Sequence, residues 1–192
     1  MIKIKKTYAG FVKNIEVGKR AYFVELDSFG YEDKVENVAN ACSQFSLVCI
    51  CGEEPFVQNK AVSDMCKLIQ KSNPYTKIII ETDGYIRPTG MNSIKNVTYF
   101  VYLKSKHSGI PFEKRIHESA LTWLIKAGAY IIFPLEDEDV FDEINTIIPG
   151  LSIKNHQVYI DIKHKDFSDM AFLCMNYGFN IYVNYDGEWV EK

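Results

Sequence analysis

Runs of β-prone apolar residues alternate along the chain with segments whose apolar side chains recur at helical spacing, and this alternation restricts the fold more than any other feature. The runs are nearly continuous in apolar residues, as in "SLVCIC" (46–51), which is typical of strands covered on both faces. Parallel strands need long crossover connections, and the helical segments provide them. The sequence therefore predicts an α/β fold made of successive βα units.

The predicted strands are Arg20–Leu26, Ser46–Cys51, Lys77–Glu81, Val97–Leu103, Tyr130–Pro134 and Val158–Ile162. The predicted helices are Glu32–Ser43, Lys60–Lys71, His117–Ala127, Glu136–Ile148 and Ser168–Tyr177. We expect Pro149 to end the fourth helix, Ser168 to cap the start of the fifth and Gly178 to cap its end. Asp186-Gly187 lies between β-prone runs and predicts a C-terminal β-hairpin. Six βα units are too few for a closed eight-stranded barrel, so we expect a partial, open, TIM-like barrel forming a single domain over residues 1–192.

Composition excludes several classes of partner. The 192 residues carry 22 basic and 25 acidic side chains, so the chain lacks the basic excess typical of nucleic-acid binding. No apolar run approaches the ~18 residues that cross a bilayer, and the N-terminal residues do not resemble a signal peptide. Five cysteines, an odd number, lie within apolar patterns, as reduced thiols of the cytosol do. We expect a cytoplasmic protein that binds a small molecule or a partner protein, but neither nucleic acid nor membrane, and self-association is left open.

Polar residues follow each of the first four predicted strands. The carboxyl ends of parallel strands meet at one edge of a sheet, where ligands of such folds bind. A rim of these side chains could bind a zwitterion or a sugar-bearing molecule; it comprises Glu53, Glu54, Glu81, Asp83, Lys104, Lys106, His107 and Ser108. The alternative is that these loops are polar because they are solvated.

The cysteines and histidines predict no metal site. The spacing of Cys42, Cys49 and Cys51 fits no common zinc or haem motif, and buried cysteine is common in cores. The four histidines form no close pair along the sequence.

The segment "GEEPFVQ" (52–58) resembles the GGEPLLQ turn of radical S-adenosylmethionine (SAM) enzymes, especially 7-carboxy-7-deazaguanine synthases and the related organic radical activating enzymes. Further segments are similar in the same order. "TYAGFVKNIEVGKRAYFVEL" (7–26) is similar to the opening hairpin of the synthases, "IIIETDG" (78–84) to their ETNG segment and "VYLKSKHSG" (101–109) to their VSPK…SG segment. The C-terminal "VYIDI" and "FLCMNYGFNIYVNY" resemble the closing strand–helix–strand. The resemblance covers most of the chain and implies a partial (β/α)6 barrel of the radical SAM type.

In that family the GGEP backbone binds the amino group of SAM, and polar groups after the third and fourth strands bind its carboxylate and ribose. The resemblance implies a ligand-binding role for Gly52, Glu53, Glu54, Pro55, Glu81, Thr82, Asp83, Gly84, Lys104 and Ser108. Glu53 replaces the second glycine of the motif, Asp83 replaces an asparagine, and Tyr102-Leu103 replace Ser-Pro. A glycine where a ligand approaches the backbone is there for its lack of bulk, so Glu53 alters the binding geometry.

The family's CxxxCxxC motif is missing. In the family that motif follows the first strand and supplies three thiolates to one 4Fe–4S cluster. Residues 27–41 contain no cysteine here, and Cys49 and Cys51 lie along the next strand, two residues apart and so on one face. The resemblance therefore implies a protein without the cluster and without radical chemistry. The loop that remains, "SFGYED" (28–33), is either a shortened surface loop or part of a recast pocket to which Asp27, Glu32 and Asp33 contribute.

Three hypotheses follow. The first is a cluster-free radical-SAM-like protein that binds SAM, a nucleoside or a purine-like base, or serves as an accessory protein, with no catalytic residue assigned. The second is an enzyme in which Glu53, Glu54 and Glu81 raise one another's pKa and act in acid–base catalysis, while Lys104 orients an anionic substrate. The third is an active radical enzyme whose cluster ligands are Cys42, Cys49 and Cys51.

Overall fold

The computed structural model describes residues 1–12, 17–135, 140–163 and 167–184. These residues form one nine-stranded sheet, with β1 (Ile2–Phe11), β2 (Arg20–Leu26), β3 (Tyr31–Asp33), β4 (Leu47–Gly52), β5 (Lys77–Thr82), β6 (Val97–Tyr102), β7 (Tyr130–Pro134), β8 (Val158–Lys163) and β9 (Asn180–Asn184). The strand order is β3-β1-β2-β4-β5-β6-β7-β8-β9. β1 runs antiparallel to both β2 and β3, and every neighbouring pair from β2 to β9 is parallel.

The helices lie between the parallel strands. They are α1 (Val35–Cys42), α2 (Asn59–Ser72), α3 (Phe112–Arg115), α4 (Glu118–Lys126), α5 (Val140–Leu151) and α6 (Phe167–Tyr177). Three short 3₁₀ turns occupy Pro55–Gln58, Lys106–Ser108 and Asn155–Gln157. α2 shows why these segments are helical: Val62, Met65, Cys66 and Ile69 recur at helical spacing and are buried against the sheet.

The two faces of the sheet are packed differently. One face, with Val24, Ile50 and Ile80 at its centre, forms the main core together with buried residues of the helices. The opposite face carries a second cluster that includes Ala21, Cys49, Ile79, Phe100 and Ile132. Among the described residues this second cluster contains no helix residue, so we call this side of the sheet the helix-free face. The single-sided covering follows from the strand order, since right-handed crossovers that always step in one direction place every helix on the same side.

The mixed α/β fold with a mostly parallel sheet confirms the predicted class. All six predicted strands are present, within one residue at each end. The predicted helix Glu32–Ser43 is wrong at its start, because Tyr31–Asp33 pair with Ile2–Ile4 as β3 and the helix begins at Val35. Residues 31–33 become a strand because the unpaired backbone of β1 accepts them at the edge of the sheet, and a local sequence pattern cannot reveal such pairing.

Two further boundaries differ from expectation. α5 continues to Leu151 with Pro149 inside it. A proline in the last turn removes a single intrahelical hydrogen bond, so the helix is not broken there. α6 begins at Phe167, which places Ser168 inside its first turn rather than at the cap, whereas Gly178 adopts a φ of +69° and ends the helix as predicted. Residues 136–139 and the Asp186-Gly187 turn lie outside the described residues. None of the helices in the described ranges combines the length and the apolar character needed to cross a membrane.

Candidate functional site

The loops after β2, β4, β5 and β6 converge at the carboxyl ends of these strands, as the sequence predicts. They enclose an open cavity of about 520 Å³, which we call the rim pocket. Its lining residues are Ser28, Glu53, Glu54, Val57, Asp83, Tyr85, Lys104 and Lys114. Side chains of both charges therefore face one solvent-accessible space.

Glu54 joins two of the converging loops. Its buried carboxylate accepts a hydrogen bond from the Phe56 backbone N–H at 3.0 Å, which caps the 3₁₀ turn after β4. The other oxygen accepts hydrogen bonds from the Thr82 hydroxyl at 2.6 Å and from the Asp83 backbone N–H at 2.9 Å. Burial raises the pKa of Glu54, and these hydrogen bonds oppose that shift. Glu54 thus fixes the end of β5 against the loop after β4, and both of its oxygens are engaged within the protein.

Gly52 is required by the path of the backbone. Its φ is +99°, and a Cβ built there would lie 2.4 Å from the carbonyl oxygen of Leu26 in β2. The next residue, Glu53, donates its backbone N–H to that same oxygen at 3.0 Å. The glycine therefore lets the loop after β4 turn tightly over the end of β2.

Glu53 turns toward the loop after β2. Its carboxylate accepts a hydrogen bond from the Ser28 backbone N–H at 2.8 Å, and the side chain is exposed. Hydrogen bonding to Ser28 lowers the pKa of Glu53. The expectation that Glu53, Glu54 and Glu81 raise one another's pKa is therefore wrong for Glu53, because its interaction with a backbone donor stabilises the charged form.

The opposite wall of the rim pocket carries an ion pair. Lys104 Nζ lies 3.1 Å from Asp83 Oδ2, and both side chains are partly exposed. Tyr85 lines the same pocket, and the pKa of its phenol is raised. The main cause is burial, and the negative charges of Glu54 and Asp83 contribute further. The arrangement supplies acceptors for an ammonium group and cationic donors for a carboxylate or phosphate.

A smaller cavity of about 120 Å³ adjoins the rim pocket and shares Glu54 and Asp83 with it. This inner pocket is also lined by Gly52, Glu81, Thr82 and Tyr102.

Glu81 and Tyr102 lie two residues after Ile79 and Phe100 on β5 and β6, so these two lining residues of the inner pocket are on the helix-free face. Cys51 is on the same side, and burial, followed by the charges of Glu81 and Glu25, raises its pKa to about 12. A thiol with this pKa is protonated at neutral pH and is a poor nucleophile.

The helix-free face is polar toward the carboxyl ends of its strands. The Tyr8 hydroxyl donates to Glu25 Oε1 at 2.8 Å, and Lys6 Nζ lies 3.4 Å from the same oxygen. On β9, the pKa of Tyr182 is raised to about 12 by burial and then by Asp161 and Glu81. Glu81 lies on β5, four strands away from β9 in the sheet.

The structure separates the predicted ligand-binding residues into two groups. Those that line the rim pocket or the inner pocket are Gly52, Glu53, Glu54, Glu81, Thr82, Asp83 and Lys104. Pro55, Gly84 and Ser108 line neither. Pro55 is buried, Gly84 is packed against Val101 and Leu121, and the Ser108 hydroxyl donates to the Ser105 carbonyl within its own turn.

Four residues of the rim pocket were not found from the sequence: Ser28, Val57, Tyr85 and Lys114. Tyr85 directly follows the predicted ETDG segment, so its neighbourhood in sequence could have revealed it. Lys114 gave no such signal, because its position depends on how the segment between β6 and α4 folds. The side chains of Asp27 and Asp33 accept local hydrogen bonds from the backbone N–H groups of Phe29 and Lys34. From the loop after β2, it is Ser28 that lines the rim pocket.

The thiols proposed as alternative cluster ligands do not converge. Cys42 is buried in the core on the helix-covered face, and Cys49 is buried in the cluster on the opposite face. The sheet lies between them, so these residues do not fit a single 4Fe–4S cluster.

Comparisons with known proteins found no matching protein-family model and no matching curated protein. Among solved structures, the chain is similar to an enolase from Pseudomonas fluorescens Pf0-1 with bound magnesium, potassium and tartrate, with 11% sequence identity and a TM-score of 0.47. The similarity covers 95% of this chain, which spans 42% of the enolase chain. At this level it indicates neither a family nor a function.

Proposed function

We propose that this chain is a cluster-free, radical-SAM-like protein of the cytosol that binds a small molecule, in a binding or accessory role, at the rim pocket. The observation that carries the proposal is the convergence of four loops around a cavity of about 520 Å³ that presents acidic and basic groups together. Functional pockets of α/β folds occur at this edge of the sheet, and volumes of ~300–1,000 Å³ are typical of them. SAM, a nucleoside or a purine-like base is the proposed ligand.

The charges of the rim pocket suit a zwitterion such as SAM. Asp83 and Glu53 would accept hydrogen bonds from an ammonium group, and Lys104 and Lys114 would bind a carboxylate. Tyr85 offers an aromatic face for a base, since aromatic rings of proteins stack on nucleobases. Glu54 would hold the pocket walls together rather than contact the ligand, because both of its oxygens are already bonded.

The proposal includes the partial, open barrel. Its support is the influence of Glu81 on the pKa of Tyr182, four strands away. On a flat sheet, four strand spacings of about 4.8 Å would separate these residues by about 19 Å, whereas charges that shift a pKa clearly lie within about 4–6 Å. A sheet that curls around its helix-free face brings the two side chains together, as an incomplete barrel does.

Calorimetric titration with SAM, adenosine and guanosine tests the proposal. We expect at least one of them to bind, and Lys104→Ala to weaken that binding at least tenfold, because the substitution removes a cationic donor from the pocket. Lys60→Ala is the matched control: it breaks another Lys–Asp pair, on α2, in which Lys60 Nζ lies 2.6 Å from Asp64. Absence of binding by all three compounds at millimolar concentration would overturn the proposal and favour a protein partner at the same rim.

A further inference from the structure

Two residues of the rim pocket, Lys104 and Lys114, lie on the segment 104–116 between β6 and α4, which we call the pocket loop. The loop contains one 3₁₀ turn, Lys106–Ser108, and the four-residue helix α3. Elements this short do not hold their own conformation in water. Something else must fix the two lysines in place.

Arg115 lies near the C-terminal end of the pocket loop and is buried, with a side chain only 4% exposed. Its Nε donates to the Ile110 carbonyl at 2.9 Å, and its Nη1 donates to the Lys104 carbonyl at 2.7 Å. The guanidinium therefore closes the loop by binding the backbone of a pocket lysine, and Lys114 directly precedes it in the chain.

The remaining donor of Arg115 reaches outside the loop. Nη2 donates to Glu143 Oε1, and Glu143 is a residue of α5 with a side chain 10% exposed. The second oxygen of Glu143 accepts the Lys106 backbone N–H at 3.1 Å. The buried pair therefore bonds the pocket loop at three backbone positions and anchors it to a helix of the main core.

We propose that the Arg115–Glu143 pair is the positioning device of the rim pocket: it holds the pocket loop so that Lys104 and Lys114 face the ligand. The two residues line neither pocket and act through the lysines. The effect of this pair on ligand binding rests on the proposed function. Its effect on the position of Lys104 does not depend on any ligand.

A lysine cannot replace Arg115 in this role. The guanidinium directs planar donors to two carbonyls and a carboxylate at once, and an ammonium group on a flexible stem lacks that fixed geometry. Arg115→Lys keeps the charge and most of the volume, and Glu143→Gln keeps the shape while removing the charge of the partner.

Zero-length carbodiimide cross-linking tests, without a ligand, whether Lys104 remains in contact with Asp83. The reagent joins amines to carboxylates in contact, so wild-type protein should yield both the Lys104–Asp83 and the Lys60–Asp64 products, whose ion pairs measure 3.1 and 2.6 Å. We expect Arg115→Lys and Glu143→Gln to lower the first product at least fivefold and to leave the second unchanged. An unchanged Lys104–Asp83 yield, or an equal loss of both products, overturns the inference.

A second arm separates this inference from the proposed function. We expect Arg115→Lys to weaken SAM binding at least tenfold in the wild-type background and less than twofold in a Lys104→Ala/Lys114→Ala background. An equal loss in both backgrounds means that Arg115 supports the fold rather than the lysines, and overturns the inference. If wild-type protein binds neither SAM nor adenosine nor guanosine while the cross-link still falls selectively, the proposed function is wrong and the positioning role stands.

Discussion

Glu54 gives the most specific prediction about the architecture of the site. Glu54→Ala removes the acceptor for three donors: the backbone N–H groups of Phe56 and Asp83 and the hydroxyl of Thr82. Each donor left without its partner costs about 1 kcal/mol, so the free energy of unfolding should fall by about 3 kcal/mol. For a chain of this length the corresponding fall in Tm is about 6–12 °C.

Thermal and urea unfolding followed by circular dichroism measure this loss. Glu53→Ala is the matched control, because it removes an adjacent carboxylate that is exposed and accepts a single backbone hydrogen bond from Ser28. Its Tm should stay close to that of the wild type. A Glu54→Ala variant as stable as Glu53→Ala would refute the assignment of Glu54 as the bond between the loop after β4 and the end of β5.

Three further outcomes follow from the same region. Burial raises the pKa of Glu54 above its ordinary value of 4.5, so the folded state binds the Glu54 proton more tightly than the unfolded state does. The resulting stabilisation is largest below about pH 4.5 and is lost as pH rises through the folded-state pKa. Urea unfolding across this pH range should show that Glu54→Gln abolishes this pH-dependent loss of stability. Gly52→Ala combines a positive φ with a Cβ 2.4 Å from Leu26 O and should cost about 2–3 kcal/mol, whereas Gly109→Ala, at φ +69° with open space around it, should cost about 1 kcal/mol in the same unfolding assay. The pKa of Cys51 rises from 9.0 to about 12, so its thiolate fraction at pH 8 should be about a thousandfold smaller than in the unfolded chain. Mass spectrometry after iodoacetamide treatment should find Cys51 unmodified until denaturant is added, and rapid alkylation of the folded protein would contradict this pKa.

The alternation of apolar strands with amphipathic segments was sufficient to predict six of the seven parallel strands, all except β9. Each of the six predicted strands is a local run of β-prone residues, and the parallel order follows from the crossovers between them. The convergence of four polar loops also followed, because the carboxyl ends of consecutive parallel strands must lie side by side. β3 could not be predicted, because Tyr31–Asp33 become a strand only through pairing with Ile2–Ile4, some thirty residues earlier.

The chemistry of individual site residues was decided by tertiary contacts. The sequence places Glu53 and Glu54 next to each other, yet the structure lowers the pKa of one and raises that of the other, because one meets a backbone donor at the surface and the other is buried. The role of Arg115 depends equally on a residue 28 positions away in α5. Except for β3, local periodicity determines where the strands and helices of this protein form, since it reflects backbone geometry within a few residues. Which side chains share a pocket, and with what charge, depends on burial and on partners distant in sequence.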